Sequence, residues 1–132
     1  MRLIKKLWDF KHLFSICLVY SVLITVAFLY PLKGTTSINF ILPNDKLIHF
    51  LIYLSLSFLW IIYSSRVANY KKTMTTIIMV MLLCFFYGII IEIVQEHFIP
   101  FRNLELFDVL ANMIGAISGA LLFWKVKNRI KT

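Results

Sequence analysis

The sequence predicts an all-α integral membrane protein: a four-transmembrane-helix bundle with both termini cytoplasmic. Three observations predict it. The first is composition. Of the 132 residues, 61% are apolar and 15% charged, where a soluble domain runs at roughly 45–50% apolar and about 25% charged. The second is length. Four apolar stretches, at about residues 13–32, 47–63, 73–94 and 106–124, each approach the ~20 residues that a membrane-crossing helix needs. None shows the period-two alternation of membrane β-strands. The third is the placement of the cationic side chains along the chain.

The first stretch follows Arg2, Lys5, Lys6 and Lys11 and so resembles a secretory leader. It is longer than a leader's apolar core, and no small-x-small cleavage site follows it, so it is expected to be a retained first span that Pro31 and Gly34 close. The second stretch is short, about 25 Å at about 1.5 Å rise per residue, and must begin near Asp45 to cross a bilayer. The polar, turn-forming run before it offers Asn44 or Asp45 as a helix cap. The third is unbroken over residues 77–91 apart from Gly88, and the fourth begins near Leu106. These spans leave room for one domain, residues 1–132. There is no internal repeat and no low-complexity segment. Cys17 and Cys84 lie inside apolar runs without metal-ligand spacing, and no disulfide is expected.

With four spans, both termini lie on one side. That side would carry Arg2, Lys5, Lys6, Lys11, Arg66, Lys71, Lys72, Lys125, Lys127, Arg129 and Lys131, against Lys33, Lys46 and Arg102 on the other. Basic residues collect on the cytoplasmic side, which puts both termini there. The acids do the reverse: Asp9 alone is inside, while Asp45, Glu92, Glu96, Glu105 and Asp108 are outside. The net charge of +8 therefore reads as a girdle for anionic headgroups of the lipid bilayer. The basic segments are short and flank membrane helices, so nucleic acid is not expected as a partner. Trp8, Tyr30, Tyr63 and Trp124 fall near span ends, where aromatic belts are ordinary. His12 is expected at the cytoplasmic interface, and Glu96 and His97 in a solvated loop over residues 95–105.

The outer ends of three spans share a pattern. Asp45, His49 and Tyr53 recur every fourth residue. Gly88, Glu92 and Gln95 are spaced four and three, and Asp108, Asn112, Gly115 and Gly119 four, three and four. Each set lies on one helical face. A charge inside a membrane helix usually faces the bundle interior or a wet cavity. One shared, outward-open pocket is expected, lined by Asp45, Lys46, His49, Tyr53, Glu92, Gln95, Asp108 and Asn112, with Arg102 above it as a bidentate partner for Glu92. Ala111, Gly115 and Gly119 form a small-xxx-small ridge for close helix packing, and Gly88 allows a similar approach. Asp45 and Asp108 serve equally well as helix caps. His49 suits proton transfer, and equally a simple hydrogen bond to Asp45. A site for metal from His49, Glu92 and Asp108 is chemically conceivable. No HExxH or CxxC motif supports it, so no metal or cofactor is expected. Ser55, Ser57 and Ser118 lack the context of a nucleophile.

"DKLIHFLIY", then "YGIIIEIVQ", then "RNLELFDVLANMIGAISG" resemble, in order and spacing, the signature of the VanZ-like family of small bacterial membrane proteins. The resemblance covers residues 45–119. It implies a four-helix membrane domain in the bacterial cytoplasmic membrane, and the family's founding member is linked to low-level teicoplanin resistance. It brings no reaction. The positions it carries over are Asp45, Lys46, His49, Gly88, Glu92, Gln95, Arg102, Asp108, Asn112 and Gly115, without roles for them. Three functions compete. The first is an envelope protein whose pocket binds a lipid headgroup or a lipid-linked cell-wall precursor and lowers susceptibility to teicoplanin-type lipoglycopeptides. The second is an intramembrane enzyme, with His49, Glu92 and Asp108 as the candidate catalytic acid and base groups. The third is an accessory subunit whose polar cluster locks the bundle. Four spans without a repeat are few for an alternating-access carrier, although a homo-oligomer would compensate.

Overall fold

A computed structural model of the chain describes residues 9–29, 45–99 and 103–131. Helices α1 (Phe10–Leu29), α2 (Asp45–Val67), α3 (Thr73–Phe98) and α4 (Leu106–Lys131) account for most of them. Each is long and apolar enough to cross a membrane, and the described residues contain no strand. α2 starts at Asp45 and runs for 23 residues, about 34 Å at about 1.5 Å per residue, so the short apolar run lies within a helix long enough to span.

Two helix ends follow from local chemistry. α3 runs through Glu96 and His97, which are exposed residues of its last turn and not of a loop as expected. It stops at Ile99, whose φ of −102° and ψ of 118° are extended. Pro100 follows, and a proline disfavours helical geometry in the residue before it. α2 ends without a glycine. The Tyr70 N–H donates to the Ser65 carbonyl at 2.7 Å and the Asn69 N–H to the Arg66 carbonyl at 3.0 Å. This is the paired closure of a Schellman motif. Asn69 holds the left-handed position at φ 50°, and asparagine tolerates that conformation best after glycine. The resulting turn is short enough to send α3 straight back along α2.

Cross-helix contacts set the directions. α1 runs antiparallel to α2: Phe14 packs on Trp60 and Tyr63 at its start, while Phe28 packs on His49 at its end. α2 and α4 run parallel, with Lys46 beside Asp108, His49 beside Asn112, and Ser57 donating to the Ala116 carbonyl at 3.0 Å. A Cβ at Gly115 would collide with the Phe50 carbonyl, and one at Gly119 with the Leu54 carbonyl and the Ser57 hydroxyl. The expected small-residue ridge is therefore a backbone-to-backbone contact with α2, with Ala111 half-buried one turn before it.

The bundle is turned inside out relative to a soluble one. Val19, Leu23, Met79, Leu83, Phe86 and Leu121 are exposed, whereas His49, Ser57, Glu92, Gln95, Asp108 and Asn112 are buried. Apolar faces this extensive need an apolar solvent. The two ends also differ. Arg66, Lys71, Lys72, Lys125, Lys127 and Arg129 sit at one end, and Glu92, Glu96, Glu105 and Asp108 at the other.

Candidate functional site

The polar end gathers side chains from all four helices. α2 presents Lys46, His49 and Tyr53; α3 presents Gly88, Glu92 and Gln95; α4 presents Asp108 and Asn112. His49, Tyr53, Glu92, Gln95, Asp108 and Asn112 are each no more than 3% exposed. The helical spacing puts each set on one face, and opposite chain directions bring the faces to one level. Asp108 lies in the first turn of α4, where a carboxylate suits the helix dipole.

The His49 Nδ1 lies 2.9 Å from the Asn112 Oδ1. An amide oxygen can only accept, so the ring donates there. The other ring nitrogen, Nε2, faces the Asp108 Oδ2 at 4.0 Å, beyond direct hydrogen-bond distance. Lys46 reaches from the rim, donating to the Asp108 Oδ1 at 3.2 Å and to the Glu105 Oε2 at 2.9 Å. Ligand-type atoms of His49, Glu92 and Asp108 all lie within 4.8 Å of one another.

Two walls were not legible in the sequence. Phe28 of α1 stacks on the His49 ring, with centroids 4.9 Å apart. Its backbone carbonyl accepts from the Gln95 Nε2 at 2.8 Å. The last carbonyls of a helix lack partners within it, so Gln95 satisfies one of them. No side-chain pattern announces a backbone acceptor. Glu105 was expected only in a loop, yet it pairs with Lys46. The signal was its spacing of three before Asp108. On α1, Cys17, Ser21 and Thr25 recur every fourth residue. Ser21 accepts from the Trp60 Nε1 at 3.0 Å, and Thr25 and Tyr87 share a hydroxyl–hydroxyl bond at 2.7 Å.

Beneath the cluster, Gly88 makes room. A Cβ there would stand 3.2 Å from the Asn112 Nδ2 and 3.3 Å from the Tyr53 Oη. Both of those buried atoms lack a hydrogen-bond partner among the described residues. A cavity of about 370 Å³ lies between α3 and α4, lined by Met81, Leu82, Phe85 and Met113 with Asn112 on one wall. A second, of about 380 Å³, lies between Trp60, Leu83, Cys84 and Tyr87. Neither reaches His49, Glu92 or Asp108, which pack together. The expected Arg102 partner of Glu92, and the side chain of Asp45, lie outside the described residues.

A family model described as VanZ/LLP1 matches residues 17–128. The match extends the resemblance beyond residues 45–119, through most of α1. No curated protein and no solved structure matches the chain.

Proposed function

This chain belongs to the VanZ/LLP1 family, and on that premise we propose that it is an envelope protein of the bacterial cytoplasmic membrane. It would hold a polar lipid headgroup or a lipid-linked cell-wall precursor at the polar end of the bundle, and so lower susceptibility to teicoplanin-type lipoglycopeptides. The observation that carries this reading is the convergence of His49, Glu92, Asp108 and Asn112 from three helices at one end. A charge in a membrane helix costs ~2.5–3.5 kcal/mol at the centre and less near the edge, and an ionisable residue there is a functional-site hypothesis by default. The basic residues at the opposite end support an outward orientation for the cluster, by the positive-inside rule.

A second reading is favoured by one observation. The cluster is almost fully buried, which also suits a polar lock for the bundle. Drug susceptibility in a sensitive Gram-positive host separates the two. Wild type, Glu92→Gln, His49→Ala and Asp108→Asn are compared against teicoplanin and vancomycin at matched membrane levels. Raised teicoplanin tolerance that the well-folded variants lose supports headgroup binding. Variants that keep full tolerance sink it. Variants that fail to accumulate favour the lock.

A further inference from the structure

We propose that His49, Glu92 and Asp108 form a binding site for one divalent transition-metal cation, with zinc the best fit to the donor set. From the sequence the same three residues were a conceivable metal site, but they come from three helices and make no short motif, so no metal was expected. The structure brings one imidazole nitrogen and two carboxylates, all buried, within 4.8 Å of one another. Zinc–nitrogen and zinc–oxygen bonds are about 2.0–2.2 Å, so two ligand atoms on one tetrahedral ion stand roughly 3.4 Å apart. The His49 Nε2 and the Asp108 Oδ2 lie at 4.0 Å and the three donors within 4.8 Å of one another, so side-chain rotation would have to draw them together around the ion.

The surroundings orient the donors. The Asn112 Oδ1 takes the Nδ1 proton of His49. In the neutral ring, Nε2 then presents its lone pair toward Asp108. A ligating histidine ordinarily has its other nitrogen held by an oxygen in this way. Lys46 holds the Asp108 Oδ1 at 3.2 Å and leaves Oδ2 turned toward the ring. A separate observation points to a bound group. The Tyr53 Oη and the Asn112 Nδ2, both buried and without partners among the described residues, converge over Gly88, one helical turn from Glu92. They are hydrogen-bond donors beside the cluster, suited to an oxygen carried on a cation. Imidazole with carboxylates suits zinc, manganese or iron more than magnesium or calcium.

The cation also bears on the headgroup. Among the described residues the cluster holds the carboxylates of Glu92 and Asp108, with Glu105 at the rim, against the ammonium of Lys46. A divalent ion would offset two of those negative charges and so favour an anionic headgroup. This consequence rests on the headgroup reading; the cation site does not.

The test uses the full chain in lipid nanodiscs, purified without a histidine tag and stripped with a chelator. Zinc is titrated against a chromophoric competitor, and bound metal is counted by elemental analysis. One equivalent is expected for wild type, with cobalt(II) giving the visible bands of nitrogen–oxygen coordination. His49→Ala should abolish binding, and Asn112→Ala should weaken it about 10–100-fold, as losing such an orienting contact does. Wild type that takes up no more zinc or manganese than empty nanodiscs overturns the proposal, and this outcome needs no variant to fold. Variants that fold and bind as tightly as wild type also overturn it. Zinc binding without a drug phenotype supports the site and counts against the headgroup reading alone. A drug phenotype in a protein that binds no metal does the opposite.

Discussion

Lys46 makes two ion pairs of unequal worth, because its partners differ in burial. The Glu105 side chain is 56% exposed and the Asp108 side chain 2%, with Lys46 itself at 49%. An ion pair exposed at both ends is worth about 0.2–1 kcal/mol. A hydrogen bond to a charged group is worth about 1.5–3 kcal/mol, discounted here by water on the half-exposed ammonium. Lys46→Met should therefore lower the thermal midpoint in detergent clearly more than Glu105→Gln. Equal shifts would show that Asp108 draws nothing from Lys46. At this scale the sequence placed the acids, the amides and the histidine at one end by their four-and-three spacing. It left open whether His49 bonded to Asp45 or elsewhere. The contact with Asn112 depends on the register between α2 and α4, which spacing within one helix does not encode.

The contact between α2 and α4 is the element on which the site depends. Lys46 and His49 meet Asp108 and Asn112 only because Gly115 and Gly119 let the two backbones touch. Overpacking a well-filled interface costs about 1–3 kcal/mol. Gly115→Leu meets backbone that cannot swing aside, so its cost should reach or pass the upper end of that range. Gly88→Ala meets the far ends of Asn112 and Tyr53 side chains, which can yield. The expected result is a large loss of monodisperse folded protein for Gly115→Leu and a small one for Gly88→Ala, read by size exclusion and thermal unfolding. Similar behaviour of the two would show that the close α2–α4 approach at Gly115 does not govern folding. The small-xxx-small pattern was visible in the sequence, and the helix it faces was not. The end of α3 shows the converse. Pro100 was visible, yet polar Glu96 and His97 suggested a loop. Helical hydrogen bonding continues to the residue that the proline itself constrains.

Across the whole molecule, charge and apolar surface give the bundle a direction. The basic end includes the α2–α3 turn and the last turns of α4, and the acidic end holds the cluster. Orientation is tested by Asn128→Cys, an exposed position at the basic end. The native Cys17 and Cys84 are buried and give little background. A membrane-impermeant maleimide should leave Asn128→Cys unlabelled in intact cells and label it after permeabilisation. Labelling in intact cells would turn the polar cluster toward the cytoplasm and remove the basis for an outward headgroup site. Family membership belongs to this scale too. Motifs on α2, α3 and α4 carried the resemblance, while α1, whose apolar run has no motif, joined it through the wider match.

What the sequence by itself determined is the set of four apolar helices, their segregated charges and the family they signal. Composition and period act locally, and each residue contributes without reference to a distant one. The tertiary structure decided which faces meet. It set Asn112 on His49, Lys46 on Asp108, and the Phe28 ring and carbonyl against the cluster. Those contacts depend on helix register and on backbone groups, which have no residue-type signature. For that reason the sequence could group His49, Glu92 and Asp108 in one expected pocket but could not show that their donor atoms stand within 4.8 Å of one another.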